Sequence, residues 1–311
     1  MTAAQSALTD KALQRNHFRE QLRDGLGIQD ILQGREVLQI ERDPPIHCEL
    51  YEFDSQAPVL LFLPGLGTYS ELYAELLAGI RDQGFNVVGV DPRGHGYSGG
   101  ERGYYSVEDT VEDLQCVLDS LQERFSGPVG VFGYSGGAVT GLALAEKDSR
   151  VQALLCGTLL LSELAPDLLH GLGWQWTSAS AWMFPRMRVP LKGFIDFETL
   201  LAGHPAGPLI NADPMLVFEY PLRTLASLFS RSAGILKREY PFSLTIMQGA
   251  RDEVLDVDYA RRVVAQSVHP IELVLIPAEG HMLPWDNAAV LAQRSAQWFQ
   301  QQLQSSQAIS A

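Results

Sequence analysis

Cysteine is scarce in this chain. Three stand in 311 residues, Cys48, Cys116 and Cys156, far apart and odd in number. No C-x-x-C pair or His/Cys cluster accompanies them, which argues against a disulfide scaffold and a thiolate metal site; free, buried thiols in a reducing cytosol are expected. Positive charge is scarce too. Lys and Arg number 23 against 37 acidic residues, a formal charge of −14. Such a surface repels phosphate backbones and anionic lipid, so nucleic acid is excluded as an expected partner. No apolar run reaches the ~18–20 residues that cross a bilayer, so no integral span is expected. The opening MTAAQSALTDKALQRNHFREQ lacks a basic start followed by an apolar stretch. No secretion signal is expected from it, and the location read from it is cytoplasmic. What is plentiful is glycine, at 28, and apolar residues, at 46%. That supports a sizeable core, in one large α/β domain with an insertion or in two small domains.

Up to about Gly34 the chain is polar with scattered apolar residues and reads as a short helix. EVLQIER and IHCELYEF alternate apolar with polar, as half-buried antiparallel strands do, with Pro44-Pro45 at the turn. The pattern changes at PVLLFLPG, FNVVGVD, GPVGVFG and VQALLCG. These nearly continuous apolar runs are what parallel strands buried on both faces produce. Helical stretches alternate with them: SELYAELLAGIRDQG, SVEDTVEDLQCVLDSLQERF and GAVTGLALAEK. In the second, Ser106 with Asp109 makes a capping-box start, and Val107, Val111, Leu114, Leu118 and Leu121 form an apolar stripe. From Thr158 to Tyr240 the alternation stops. This stretch holds Trp174, Trp176, Trp182, Phe184, Phe194, Phe197 and Phe218 with several prolines. The alternation then resumes with FSLTIMQG, VDYARRVVAQSV, IELVLIPA and AAVLAQRSAQWFQQQL. A core of residues 1–157 and 241–311 carrying an inserted cap, 158–240, is the simplest organisation. The polar tail after about Gln300 is expected to fray.

Ligands of open parallel sheets bind at the carboxyl ends of the strands. After GPVGVF comes Gly133-Tyr134-Ser135-Gly136-Gly137, a G-x-S-x-G at a strand-to-helix corner. Its glycines let strand and helix approach while the serine is thrust outward as a nucleophile. Such a serine needs a base and an acid to orient it. Asp252 follows the strand FSLTIMQG; Glu253 and Asp256 are rivals, although Asp256 suits the cap of the next helix. His281 follows IELVLIPAEG, free to swing beside Gly280. Serine, acid and histidine thus follow three sheet positions in chain order. His17, His47, His170, His204 and His269 lack such a placement. After PVLLFLPG, Gly65 and Gly67 flank Leu66, whose N–H is assigned with that of Gly136 to an oxyanion hole. The alternative for that loop is a glycine-rich turn alone.

These motifs resemble the α/β-hydrolases of the monoacylglycerol lipase, lysophospholipase and serine aminopeptidase group. DPRGHGYSGG, Asp91 to Gly100, is similar to that group's D-x-R-G-H-G-x-S loop, and NADP, Asn211 to Pro214, to a short Asp-Pro element. Pro64-Gly65 replaces the group's usual His-Gly, and Gly136 stands where a larger residue is common. The resemblance implies an α/β-hydrolase fold: a mostly parallel sheet, helices on both faces and a largely helical cap after the sixth strand. It gives His95 a structural role under the nucleophile. The activity it implies is that of a serine hydrolase cleaving a carboxylic ester with an apolar acyl chain, a small-molecule or lipid-like substrate. Alternatives are an aminopeptidase, with Asp196, Glu198 or Glu219 holding an ammonium, a thioesterase, or a non-catalytic ligand-binding protein. No metal or other cofactor is implied. Trp174, Trp176 and Trp182 are candidate acyl contacts in the cap.

Overall fold

The computed structural model describes residues 16–193, 195–201 and 203–310; Phe194 and the start of the N-terminal stretch lie outside them. Each of the eight runs read as strands forms one, and two short strands that were not foreseen join them. In chain order these are β1 (Glu36–Ile40), β2 (Ile46–Tyr51), β3 (Val59–Leu63), β4 (Asn86–Val90), β5 (Val129–Gly133), β6 (Val151–Cys156), β7 (Arg188–Pro190), β8 (Glu219–Pro221), β9 (Ser243–Gly249) and β10 (Glu272–Ile276). Eight of them build one sheet in the order β1-β2-β4-β3-β5-β6-β9-β10. The β1–β2 and β2–β4 pairs are antiparallel and the others parallel, the mixed sheet that the two kinds of pattern predict. Along β3, Val59, Leu61 and Leu63 enter the core on one face, and Leu60 and Phe62 enter the core on the other. A strand with two apolar faces needs helices on both.

The helices are α1 (16–25), α2 (Ala74–Arg81), α3 (Val107–Gln122), α4 (Gly136–Lys147), α5 (Leu168–Met183), α6 (Phe197–Leu200), α7 (Gly207–Ala212), α8 (Leu222–Ser230), α9 (Val257–Gln266), α10 (Leu283–Asp286) and α11 (Ala288–Ser310). Buried side chains of α3, α4, α8 and α9 join one core; those of α1, α2 and α11 join the other. The capping box of α3 is present, Ser106 Oγ accepting from Asp109 N–H at 3.0 Å and Asp109 accepting from Ser106 N–H at 3.1 Å. Helix α11 runs on to Ser310, beyond Gln300 where fraying was expected, since neither glycine nor proline interrupts it.

One element differs from expectation. Strand β2 is buried at every position, not half-buried. It lies inside β1, and its polar residues find buried partners: Arg35 Nε stands 3.1 Å from Glu49, and the His47 ring packs on Tyr97 at 4.9 Å. The stretch between β6 and β9 is largely helical. It carries α5 to α8 and an antiparallel ribbon, β7 with β8, in which Val189 opposes Tyr220. The ribbon side of this stretch reaches the loops after β3 and β4: Val217 N–H donates to Gly67 O at 3.0 Å, and Tyr220 Oη lies 2.7 Å from His95 Nε2. Helix α5 buries no residue. Trp176 is 60% and Trp182 87% exposed, while Trp174 stacks on Phe229 of α8 with ring centroids 5.4 Å apart.

Candidate active site

Ser135 sits at the corner between β5 and α4 with φ 51° and ψ −120°. An L-residue seldom adopts a positive φ, and holding it costs on the order of 1–3 kcal/mol. The surroundings impose it. Tyr134 N–H donates to Leu63 O at 3.0 Å before the serine, and Ala138 N–H to Ser135 O at 2.9 Å after it. The motif's outer glycines admit the sharp corner: a Cβ on Gly133 would lie 2.6 Å from Ala138 Cα, and one on Gly137 would strike the carbonyls of Leu63 and Pro64.

Asp252 lies three residues beyond β9, its side chain 1% exposed. Its Oδ1 accepts the N–H groups of Val254 and Leu255 at 2.9 Å each, and its Oδ2 lies 2.8 Å from His281 Nδ1. The rivals fall away. Glu253 is exposed, and Asp256 caps α9 by accepting Tyr259 N–H at 2.7 Å. With a carboxylate facing it, Nδ1 is the protonated nitrogen of the neutral ring, leaving the Nε2 lone pair free to take a proton. His281 stands between β10 and α10. Tyr134, beside Ser135, donates its hydroxyl to His281 O at 2.8 Å and packs its ring on the imidazole at 5.9 Å. Burial and, second, the charge of Asp252 push this phenol well above its ordinary range, so it stays a donor. The histidine loop is thereby fastened to the residue next to Ser135.

The loop after β3 closes the other side. Tyr73 Oη accepts Gly65 N–H at 3.1 Å, and Thr68 Oγ1 bonds Gly65 O at 2.7 Å and Tyr73 Oη at 2.9 Å. A Cβ on Gly65 would lie 3.6 Å from Ser135 Cβ, and one on Gly136 would lie 3.1 Å from Leu66 N. Leu66, Gly136 and Ser135 are therefore neighbours. Among the described residues neither the Leu66 nor the Gly136 N–H has a protein acceptor. Both stand at the N-terminus of α4, whose dipole favours negative charge. Beside them lies a cavity of about 20 Å³ bordered by His95, Tyr105 and Thr140, room for about one water. His95 bonds Arg93 O at 3.1 Å and Tyr220 Oη at 2.7 Å through its two ring nitrogens. Burial pushes its pKa down to about 4, so at neutral pH it is an uncharged post between the Asp91 loop and β8.

Trp174, Trp176 and Trp182 stand on α5 and do not border this cavity. Of the residues considered for an ammonium, Asp196 caps α6 and bonds Thr199 and Asn211, while Glu198 and Glu219 are exposed. Tyr73 and Tyr134 were not foreseen. Nothing in a single tyrosine's spacing marks it as a post behind a loop. Among the described residues no cluster of three His, Cys, Asp or Glu side chains could hold a metal ion, and no helix is long and apolar enough to cross a membrane.

The family model described as serine aminopeptidase, S33, matches residues 54–288. Human monoglyceride lipase is 26% identical over 223 residues, covering 68% of this chain and 71% of the human protein. An abhydrolase domain-containing protein of Dictyostelium discoideum is 28% identical over 129 residues, which is 38% of this chain and only 14% of that protein. Among solved structures, a soluble variant of the monoglyceride lipase of Saccharomyces cerevisiae superimposes with a TM-score of 0.71 at 16% identity, covering 86% of this chain and 95% of that one. The monoacylglycerol lipase of Paleococcus ferrophilus does so at 0.66 and 18%, covering 81% and 97%. By its family match and its fold, the chain belongs to the serine aminopeptidase S33 family of α/β-hydrolases.

Proposed function

We propose that the chain is a serine hydrolase that cleaves a carboxylic ester with an apolar acyl chain through an acyl-enzyme. The observation that carries this is the strained Ser135 corner sharing one end of the sheet with the Asp252–His281 pair, closed at 2.8 Å. His281 Nε2 takes the hydroxyl proton as Ser135 Oγ attacks the ester carbon. Asp252 keeps the ring in the required tautomer and stabilises the imidazolium. The carbonyl oxygen, now negative, lies between the N–H groups of Leu66 and Gly136, each worth roughly 3 kcal/mol in comparable holes. Collapse expels the alcohol, which receives the proton from Nε2. Water then enters, gives its proton to the same nitrogen and releases the acid. Residues 158–240 act as the cap, with α5 and its tryptophans over the acyl chain. The human and yeast relatives named for monoglyceride lipase activity support an ester substrate. An aminopeptidase draws less support, because Asp196 already serves its own helix. Three unpaired cysteines fit a reducing compartment.

A panel of acyl esters, thioesters and aminoacyl amides, assayed with the wild type and variants, tests the reading. Esters should turn over best. Ser135→Ala and His281→Ala should each lose about 10⁴-fold or more in kcat, with Asp252→Asn keeping a small remainder. Near-native turnover by a folded Ser135→Ala would sink the mechanism, and preference for aminoacyl amides would reassign the substrate.

A further inference from the structure

Helix α1 precedes the stretch 54–288 that matches the family, yet its arginines reach the loop that carries Leu66. Arg23 grips Glu71 with two arms, Nε to Oε1 at 3.0 Å and Nη2 to Oε2 at 2.7 Å. Arg35 and Tyr97 Oη donate to the same Oε2 at 3.3 and 3.1 Å. Arg19 stands 3.6 Å from Oε1, donates to Tyr69 Oη and pairs with Asp213. The Tyr69 hydroxyl donates onward to Asp213. Both carboxylates are buried, Glu71 at 1% and Asp213 at 0% exposure. A single side chain, Arg19, thus joins the N-terminal helix, the loop after β3 and the stretch between β6 and β9.

The ties converge on one short piece of backbone. Gly67 O is held by Val217 N–H at 3.0 Å, and Ser70 N–H donates to Asp91 at 2.7 Å. Tyr69 is held through Asp213 and Glu71 through the arginines, while Tyr73 holds Gly65. Buried ion pairs add little net stability compared with well-packed apolar groups. Their two-armed, charge-assisted bonds do fix geometry tightly. Leu66 N–H lies three residues before Tyr69 and five before Glu71.

We propose that α1 is part of the framework of the active site, with Arg19 and Arg23 as positioning residues that set the direction of the Leu66 N–H through Tyr69, Asp213 and Glu71. The proposal rests on the oxyanion reading above. Three variants test it. Tyr69→Phe removes one hydroxyl and little else. Arg19→Gln combined with Asp213→Asn removes both charges, so neither is left buried alone. Arg23→Lys keeps the charge and loses the two-armed grip. On p-nitrophenyl acetate, kcat should fall about 10- to 100-fold in the first two, with KM held within about twofold. Arg23→Lys should fall between them and the wild type. Affinity for an alkyl boronic acid, which adds to a serine as a tetrahedral anion, should drop by the same factor. A purely structural role would lower Tm and leave both readouts unmoved, and that result in Tyr69→Phe overturns the proposal even if the double variant does not fold. Failure of the underlying reading looks different: wild-type turnover would equal that of Ser135→Ala, and the proposal would fall with it.

Discussion

Gly136 shows how much a missing side chain can decide. A Cβ there would lie 3.1 Å from Leu66 N and 3.2 Å from Leu66 Cβ, tighter than ordinary contact. The loop would have to yield by a few tenths of an ångström, moving one of the two proposed oxyanion donors while leaving the other. Gly136→Ala is therefore expected to lower kcat about 3- to 30-fold. Stability should change little, the helix preference for alanine over glycine being offset by the crowding against Leu66. Unchanged kcat in a folded variant would remove Leu66 from the hole. His95 makes a prediction about acid. Its pKa, pushed down by burial to about 4, returns in the unfolded chain to the ordinary value near 6.5. Between those values the unfolded state binds the extra proton. Stability is then complete above about pH 6.5 and is lost as pH falls towards 4, by about 3 kcal/mol in all. Asp91, pushed up by burial to about 6, works in the opposite sense over part of the same range. It is present in both wild type and His95→Gln, so the difference between their urea midpoints at pH 7, 5.5 and 4.5 isolates the histidine. The gap should narrow as pH falls; a constant gap would show that His95 is not held neutral.

At the level of elements, the strands of the main sheet were legible because burial on two faces demands apolar runs, and those runs have no other use. The corner at Ser135 was legible for a related reason: close approach of α4 to β3 and β5 admits only glycine at 133 and 137. Asp252 and His281 followed from asking what stands at the end of each strand. Strands β7 and β8 escaped notice, since three residues carry no periodicity. The grip of α1 escaped too, because a pair between positions 19 and 213 leaves no local pattern. Helix α5 allows a clean test of the cap. Trp176 and Trp182 are largely exposed, so they contribute little to folding. Trp176→Ala and Trp182→Ala should leave Tm nearly unchanged while raising KM for a decanoyl ester about tenfold and sparing acetyl. Trp174, stacked on Phe229, should lose stability as well. Equal KM shifts for both chain lengths would leave α5 without an acyl-binding role.

Over the whole molecule, the sheet is sealed by two cores, and the three thiols are distributed unevenly with respect to them. Cys48 in β2 and Cys156 in β6 are fully buried, and burial raises both thiols well above their usual range. Cys116 on α3 is only half-buried and accepts a hydrogen bond from Arg42 at 3.1 Å. A thiol reagent such as Ellman's should consume one equivalent on mixing with the native chain and three in denaturant; three fast equivalents in native buffer would contradict the packing. The slow pair carries further information. Strands β4, β3 and β5 separate β2 from β6, so each buried sulfur reports the opening of a different half of the sheet. Labelling at one shared rate would mean that the sheet comes apart as a single cooperative unit; two rates would name the edge from which it unzips.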